Sequence, residues 1–455
     1  MKYPRYPAYK DSGVEWIGEI PVSWNIIKLK YVIENFVGGG TPTTGIADYW
    51  TTEEGGLPWV SISDITGTDV IRDTERKITI SGLNSKNLTL LPPGTIIYSM
   101  YASVGKVSKL LITATTNQAV LGLVNNERQV LNDYLKLSLE SFEPFVGYLF
   151  SSNTQNNINE EKAKNIIIPL TDRTNQAGII RFLFIKSAII DNLVSKTLKI
   201  IELLKEKRQA IITHAVTKGL DPNVPMKDSG VEWIGEIPER WKVMKIKFTS
   251  YVKGRVGWKG LTSEEYMEDG YAYLVTGQDF QSKRILWDSC YCVDKSRYYD
   301  DPYIQLKNGD LLITKDGTIG KLAVVNGLEK PACLNSGIFL VRPYNNYITD
   351  FLYYVLSSSV FSNFYFLRSF GSTIQHLYQN VFEEFSFPIP PIVEQGQIVS
   401  YLESQTSEID RIISVGKNML QLLKEYKDSL ITQAVTGKID VRSFAVPTIS
   451  NSTET

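Results

Sequence analysis

Histidine, cysteine and long apolar runs are scarce in this chain of 455 residues. Because it has only two histidines, His214 and His376, few catalytic mechanisms that use histidine are available to it. Its three cysteines, Cys290, Cys292 and Cys333, are too few for a disulfide framework, so we expect a cytoplasmic protein. Neither a long apolar run nor an apolar N-terminal segment occurs, so the sequence predicts no transmembrane helix and no secretory signal.

Basic and acidic residues nearly balance, and the formal net charge is -1. Any surface for nucleic acid must therefore be local. Between residues 240 and 263 the chain carries seven basic residues and no acidic residue, with Phe248, Tyr251 and Trp258 among them. Such a run can neutralise phosphates, although a solvated basic strand is the simpler alternative. A weaker counterpart is GGGTPTTG at 38–45, which is rich in small hydrogen-bond donors.

A long internal repeat organises the chain. The twelve residues KDSGVEWIGEIP occur at 10–21 and again at 227–238, followed by Trp24 and Trp241. The matches resume near the end of each half, for example with LLKE at 203–206 and at 422–425. The middles, roughly 36–165 and 250–385, differ and have the short strands of mixed α and β structure. This pattern indicates either two related readers of different ligands or a duplication whose surfaces diverged freely.

Each half ends in a long amphipathic segment. In residues 172–217, apolar side chains recur from Ile180 to Ile211 with a heptad spacing, and Thr171 or Asp172 can cap the helix. Residues 392–436 repeat the pattern, with Gly416 as one interruption. We expect two long helices that pair as an antiparallel coiled-coil rod and give the chain a pseudo-twofold axis. Two independent helices, each packed on its own domain, are the alternative.

Motifs for catalysis are missing or incomplete. GTIGKL at 317–322 and SVGKV at 103–107 imitate a phosphate-binding loop but lack its first glycine and its Ser or Thr, so we interpret them as tight turns between strands. The cysteines lack the spacing and fourth ligand of a zinc site. Glu160, Glu161 and Lys162 could mimic the end of a nuclease motif, yet no suitably placed aspartate precedes them. The sequence argues against an enzyme.

These features together resemble the specificity subunit of type I restriction-modification systems. The resemblance rests on the doubled KDSGVEWIGEIP with its tryptophans, on PIPPIVEQGQI at 388–398, and on helix ends HAVTKGLD at 214–221 and QAVTGKID at 433–440. It implies a non-catalytic protein with two target-recognition domains, each reading one half of a split DNA site. It also implies two methyltransferase subunits as partners, with restriction subunits in the full complex. S-adenosylmethionine, ATP and Mg²⁺ are expected on those partners, and no cofactor on this chain.

The expected fold class is α+β, with two mixed α/β target-recognition domains separated by two long antiparallel helices. The predicted order is a first recognition domain at 1–171 with repeat strip 10–24, helix 172–217, linker 218–226, a second recognition domain at 227–391 with repeat strip 227–241, helix 392–436, and a partly disordered tail at 437–455. An interaction protein that sequesters such subunits, or part of a fused restriction endonuclease, remain the alternatives.

Candidate DNA contacts are basic, hydroxyl and amide side chains in the variable middles. In the first domain they are Thr41, Thr43, Ser63, Tyr98, Tyr101, Lys106 and Gln155. In the second domain they are Lys253, Arg255, Lys259, Gln278, Lys315, Thr318, Lys321, Ser372 and Gln375. GSTIQ at 371–375 is similar to a DNA-facing loop of the family, whereas the first domain has SNTQN at 152–156 instead.

Overall fold

The chain divides into two compact units. A computed structural model describes residues 3–149, 157–255, 261, 263–368 and 376–444. Unit 1 comprises Met1–Lys196 and Asn418–Thr455, and unit 2 comprises Thr197–Lys417. The units extend beyond the predicted recognition domains 1–171 and 227–391, because each also contains parts of both long helices.

Unit 1 combines a five-stranded mixed sheet with a second sheet of four strands and with two-stranded ribbons. Its strands are β1 (Tyr9–Asp11), β2 (Glu19–Pro21), β3 (Asn25–Lys28), β4 (Ile33–Gly38), β5 (Trp50–Thr51), β6 (Leu57–Val60), β7 (Val70–Ile71), β8 (Arg76–Ile78), β9 (Ile96–Ser99), β10 (Val107–Leu110), β11 (Thr115–Thr116), β12 (Val120–Asn125) and β13 (Ile167–Leu170). Its short helices are α1 (Ile62–Ile65), α2 (Ile80–Ser85), α3 (Asn132–Phe142) and α4 (Glu160–Lys164). The first long helix, α5 (Arg173–Lys218), starts here and ends in unit 2.

Unit 2 repeats this order with different lengths. Its strands are β14 (Met226–Asp228), β15 (Glu236–Pro238), β16 (Lys242–Lys245), β17 (Ser250–Gly254), β18 (Ala272–Val275), β19 (Phe280–Gln281), β20 (Arg284–Ile285), β21 (Tyr291–Val293), β22 (Leu311–Thr314), β23 (Leu322–Val324), β24 (Ala332–Leu334), β25 (Ile338–Pro343) and β26 (Ser386–Ile389). Its helices are α6 (Ile246–Thr249), α7 (Lys295–Tyr299), α8 (Thr349–Ser357), α9 (Ser359–Arg368), α10 (Gln379–Phe382) and the start of α11 (Ile392–Val435).

The main sheets of the two units share the order of four strands, and unit 1 adds β7 as a fifth. In unit 1 the order is β4-β12-β9-β10-β7, and in unit 2 it is β17-β25-β22-β23. All four residues of β9 and all four of β22 are buried, which explains their nearly continuous apolar sequences. The strands β9 and β10 form an antiparallel hairpin, as do β22 and β23. The turns interpreted from SVGKV and GTIGKL lie in these hairpins.

The repeat strips, 10–24 and 227–241, pack against the ends of the long helices. Trp24 in unit 1 and Trp241 in unit 2 are both completely buried. Gly437 follows α11 with a φ of 69°, and a Cβ there would lie 2.5 Å from Pro21 and 3.2 Å from Trp24. Gly219 follows α5 with a φ of 78° and approaches Trp241 in the same way. A left-handed glycine at each helix end therefore permits the close contact that the repeated motif provides.

A buried glutamine in each unit explains another repeated position. Gln176 accepts a hydrogen bond from the Leu131 amide at 2.9 Å and donates to the Thr171 carbonyl at 2.8 Å. Gln395 accepts from the Ile348 amide at 2.8 Å and donates to a carbonyl at its helix start. Both side chains are fully buried, so they join the long helix to the segment that precedes α3 or α8 in the same unit.

The two long helices pair in antiparallel orientation, which confirms the prediction of a coiled coil. In unit 1, Lys427 Nζ lies 2.8 Å from Asp191 Oδ1, and in unit 2, Arg208 Nε lies 3.0 Å from Asp410 Oδ1. Between residues 191 and 208 the only side chains not exposed are those at the predicted heptad positions 194, 197, 201, 204 and 208. Gly416 faces Ile201, whose side chain would lie 3.1 Å from an added Cβ, so the interruption accommodates a bulky neighbour.

The tail beyond α11 packs on unit 1 as far as it is described. The Asp440 amide donates to the Pro4 carbonyl at 2.8 Å, and the Phe444 ring lies 4.8 Å from that of Phe182. The tail predicted to be partly disordered spans 437–455, and its residues 445–455 lie outside the described residues.

Candidate nucleic-acid interface

In unit 1, five loop segments meet where the hairpin β9–β10 turns. The Gly40 amide donates to the Thr116 carbonyl, and the Asn117 amide donates to the Val60 carbonyl, each at 2.9 Å. The Met100 amide donates to the Ala119 carbonyl at 2.8 Å and its carbonyl accepts from Ile158 at 3.1 Å. We call residues 39–43, 61–64, 100–106, 117–119 and 157–158 the loop edge of unit 1. Backbone bonds between separate segments make this edge a connected surface.

Unit 2 builds the same edge from equivalent segments. The Asn335 amide donates to the Val275 carbonyl at 3.0 Å. The Lys315 amide donates to the Gly337 carbonyl at 2.9 Å, and the Lys315 carbonyl accepts from Leu377 at 3.0 Å. The loop edge of unit 2 comprises residues 254–255, 276–279, 315–321, 335–337 and 376–377. Three of the four backbone bonds named for the edge of unit 1 therefore recur in unit 2, although the side chains differ.

One turn at each loop edge exposes a residue that the sequence predicts to be a DNA contact. In unit 1 the amide of Ser61 donates to Asp64 Oδ2 at 2.8 Å, and in unit 2 the amide of Thr276 donates to Asp279 Oδ2 at 2.7 Å. Ser63 and Gln278 occupy the equivalent exposed position between these partners. A serine and a glutamine thus project from one shared turn.

The hairpin turns confirm the interpretation of the imperfect phosphate-loop motifs. The Lys106 amide donates to Ser99 Oγ at 3.0 Å, and the Lys321 amide donates to Thr314 Oγ1 at 2.9 Å. Gly105 and Gly320 precede these lysines with φ angles of 89° and 84°, which only glycine adopts readily. The turns therefore close on a strand hydroxyl and present a lysine.

Two tryptophans hold the loop that contains Thr41 and Thr43. Trp59 Nε1 donates to the Gly40 carbonyl at 2.9 Å, and Trp50 Nε1 donates to the Thr43 carbonyl at 3.3 Å. The Arg76 guanidinium lies 3.7 Å from the centroid of the Trp50 ring. Thr41 itself donates to Gln118 Oε1, an exposed side chain at the same edge.

Sequence reasoning missed Trp50, Trp59 and Gln118 as contributors to this edge. Trp59 and Gln118 are brought to the loop by strand pairing rather than by nearness in sequence, whereas Trp50 lies only seven residues after Thr43. The one local signal was the aromatic and amide character of the residues flanking β6 and β12.

Several predicted contacts lie at the edges with their side chains accessible. Tyr101 and Thr318 are exposed, and so is Lys321. The Lys315 side chain is only 13% exposed and its Nζ lies 2.7 Å from Asp316 Oδ2. Lys253 is half-buried on β17. The predicted contacts that lie outside the described residues are Gln155, Lys259, Ser372 and Gln375.

Two predicted contacts occupy structural positions instead. Tyr98 is completely buried on the central strand β9, and burial raises the pKa of its hydroxyl. Arg255 is only 4% exposed, and its Nε donates to the Leu334 carbonyl at 2.9 Å. That carbonyl corresponds to the Thr116 carbonyl that accepts the Gly40 amide in unit 1. Neither side chain reaches the surface, so the structure does not support direct DNA contacts for them.

The basic run of unit 2 is partly neutralised by acidic residues from distant sequence. Lys245 Nζ lies 2.6 Å from Glu384 Oε2, Lys247 pairs with the other oxygen of that carboxylate, and Arg240 lies 2.9 Å from Glu394. The two lysines hold the pKa of the Glu384 carboxyl well below its usual range. The free positive charge of this stretch is therefore smaller than its sequence indicates.

The described part of the chain was expected to lack a zinc site and a nuclease motif, and the residues concerned lie as follows. No cluster of histidine, cysteine and carboxylate side chains there could hold a metal ion. Cys290, Cys292 and Cys333 are free and buried, and burial raises the pKa of Cys333 to about 11. Glu160 starts the short helix α4 and pairs with Lys164. None of the helices within the described ranges has the length and hydropathy that crossing a bilayer requires.

The sequence model of the family described as "Type I restriction modification DNA specificity domain" matches residues 21–203 and 238–418. The chain belongs to this family. The two matches correspond to the two halves of the repeat, so the duplication seen in the structure is a duplication of the family's domain. This confirms the resemblance drawn from the repeated motifs.

Specificity subunits from two organisms match this chain, one over nearly its whole length and one over about half of it. The MjaVIII specificity subunit of Methanocaldococcus jannaschii is 23% identical over 93% of this chain and 95% of its own length. The EcoKI specificity subunit of Escherichia coli is 24% identical over 45% of this chain and 44% of its own length.

Solved structures share the fold at low sequence identity. A chain from a study of complex assembly and conformational transition of the type I R-M system superposes with a TM-score of 0.67 at 16% identity, covering 91% of this chain and 98% of that chain. The HsdS subunit of Thermoanaerobacter tengcongensis superposes with a TM-score of 0.50 at 15% identity, covering 92% of this chain and 98% of that chain. These likenesses establish the α+β fold class with its repeated domain and long helices.

Proposed function

We propose that this chain is the DNA specificity subunit of a type I restriction-modification complex, in which each unit reads one half of a bipartite, asymmetric site. The duplicated loop edge carries the proposal. Most of its backbone hydrogen bonds recur in both units, whereas the exposed side chains differ, as with Ser63 and Gln278. Since base identity is read by side-chain donors and acceptors, one frame with two side-chain sets suits two different half-sites.

The accessible predicted residues divide by chemistry into two roles. Thr41, Thr43, Ser63 and Gln278 offer hydroxyl and amide groups that suit base edges in the major groove. Lys321 on the hairpin of unit 2 and Lys253 on β17 suit phosphates, and contacts to phosphates position a protein on DNA without reading the base sequence. The loop edges combine both kinds of side chain, as a sequence-specific DNA interface requires.

The long helices supply two equivalent surfaces for partner subunits. In unit 1, Leu193, Met419 and Leu422 are exposed by 39%, 43% and 64%. In unit 2 the equivalent positions of the repeat are Ile412, Ile200 and Leu203, exposed by 38%, 54% and 53%. Apolar side chains left exposed at matching heptad positions favour two copies of one partner. Two methyltransferase subunits are the partners that the family relationship implies.

Catalysis is assigned to those partners and not to this chain. Methyl transfer needs S-adenosylmethionine, which the methyltransferase subunits would bring. DNA cleavage would be performed by restriction subunits that use ATP and Mg²⁺. The cytoplasm, where DNA and these subunits meet, is the expected location.

A recognition-domain exchange tests the proposal. Residues 25–165 would be replaced by the corresponding segment of a related specificity protein, and methylated sites would be mapped in host DNA. The expected result is one altered half-site and one unchanged half-site. A matched exchange of residues 242–385 should alter the other half. A simultaneous change in both half-sites from either exchange would contradict two independent readers.

A band-shift assay separates this function from sequestration. The chain would be mixed with random-sequence duplex DNA at low salt, with and without a methyltransferase subunit. A specificity subunit should retard the duplex, most strongly in the assembled complex. A protein that only sequesters its partners would bind the methyltransferase subunit and leave the duplex free.

A further inference from the structure

The two hairpin lysines of the loop edges have opposite surroundings. Lys106 and Lys321 occupy the same position in the same turn, each following a left-handed glycine and each bonded through its amide to a strand hydroxyl. A Cβ on Gly105 would lie 3.2 Å from Glu143, whereas a Cβ on Gly320 would lie 3.6 Å from Phe361. A carboxylate in unit 1 is therefore replaced by an aromatic ring in unit 2.

The carboxylate of Glu143 neutralises the hairpin lysine of unit 1. Lys106 Nζ lies 2.5 Å from Glu143 Oε1, and the two side chains are 42% and 34% exposed. Glu143 directly follows α3, so its backbone is held by a helix end that packs in the core of unit 1. A phosphate that approached Lys106 would meet this carboxylate as well, and the two like charges repel.

Lys321 has no such partner among the described residues of unit 2. It is exposed and forms no ion pair with any residue that the structure describes. It borders a surface cavity of about 520 Å³ and is the one charged side chain among the described residues that line it. Phe361, which lies where unit 1 has Glu143, contributes an apolar wall to this cavity. The hairpin lysine of unit 2 is thus available to a phosphate.

We propose that Glu143 is a specificity-determining residue that withholds Lys106 from the DNA backbone, so that unit 2 holds a phosphate with its hairpin and unit 1 does not. The inference rests on the proposed DNA-reading function and deepens it. Binding by unit 1 then depends more on base contacts, because one sequence-independent contact is absent there. Binding by unit 2 includes this additional electrostatic contact between its hairpin lysine and a phosphate.

The test measures the salt dependence of DNA binding by the full chain assembled with its methyltransferase subunits. The probe is a random-sequence duplex, and the slope of log affinity against log salt counts neutralised phosphates. Glu143→Gln removes the charge and keeps the shape, so Lys106 should gain a phosphate. We expect the slope to steepen by about 0.9, which means about threefold more affinity lost over a fourfold rise in salt.

Three further variants complete the comparison. Lys106→Ala alone should leave the slope unchanged, and Lys106→Ala combined with Glu143→Gln should return it to the value of the unaltered chain. Lys321→Ala should make it shallower by about 0.9. The thermal unfolding midpoint of Glu143→Gln serves as a structural control, because a merely structural role would shift that midpoint without changing the slope.

Opposite results would overturn the inference. A shallower slope for Lys106→Ala in the otherwise unaltered chain would mean that Lys106 already holds a phosphate. An unchanged slope for Glu143→Gln, or for Lys321→Ala, would also contradict the assigned asymmetry. If the unaltered complex did not bind duplex DNA at all, the proposed function itself would fail and this inference with it.

Discussion

Insertions of whole heptads into both long helices should change the spacing between the half-sites in a periodic way. The perturbation places the same number of heptads after Lys199 in α5 and after Asn418 in α11. These points lie between the equivalent ion pairs Asp191–Lys427 and Arg208–Asp410, so a matched insertion leaves both pairs in register. Whole heptads also keep the apolar seam continuous.

The expected magnitude follows from helix and duplex geometry, for paired helices that lie along the DNA. One heptad adds about 10.5 Å, or about three base pairs, and three heptads add about 31 Å, or about nine base pairs. The duplex turns once in about 10.5 base pairs, whereas the paired helices supercoil in the opposite sense by roughly 25° per heptad. The added length turns one reader relative to the other in one sense and the duplex in the other sense. The difference between these two rotations is roughly 130° for one heptad and, after a full turn is subtracted, roughly 30° for three.

Methylated sites would be mapped for variants with one, two and three heptads in both helices. We expect the three-heptad variant to methylate the same two half-sites across a spacer about nine base pairs longer, and the one-heptad variant to lose most activity. An insertion into α5 alone is the control, because it can retain only one of the two ion pairs and displaces a helix end from Trp24 or Trp241. Full activity with an unchanged spacer in the one-heptad variant would show that the helices do not set the distance.

Ile412→Asp should reduce the number of bound methyltransferase subunits from two to one, as counted by native mass spectrometry, because it places a charge in one of two equivalent apolar surfaces. Trp59→Phe removes the donor to the Gly40 carbonyl and should weaken recognition of a single half-site in methylation mapping, with the other half unaffected. Gln395→Ala leaves the buried Ile348 amide without its partner and should lower the free energy of unfolding by about 1–3 kcal/mol in denaturant titrations. Since burial raises the pKa of Cys333 to about 11, its thiol should resist alkylation at pH 8 in the folded chain and react after unfolding, as followed by mass spectrometry.

Patterns with a short period were predictable from the sequence. The heptad spacing from Ile180 to Ile211 identified the buried seam of α5, and Asp172 caps that helix by accepting from the Asn175 amide at 2.9 Å. The glycines in the imperfect phosphate-loop motifs were interpreted as turns, and Gly105 and Gly320 are turns. In these cases the residues that determine the structure lie within one or two helical turns of each other.

The candidate site was less predictable because its charges are balanced by distant residues. Lys245 and Lys247 belong to a run without acids, yet Glu384 neutralises both from almost 140 residues away in sequence. Arg255 looked like a phosphate ligand and is buried against a strand carbonyl. Whether a basic side chain is free depends on strand pairing, which brings such partners together and leaves no local trace.

Residues that recur in both halves and residues that differ have separate places in the structure. Gln176 and Gln395, Trp24 and Trp241 are completely buried, and they connect helices to the recognition parts. The positions that differ, such as Ser63 and Gln278, are exposed at the loop edges. Buried partners constrain each other through packing and hydrogen bonds, whereas an exposed side chain on a shared turn can change without disturbing the frame. A change of target sequence therefore requires no change of fold, and each unit can change its half-site independently.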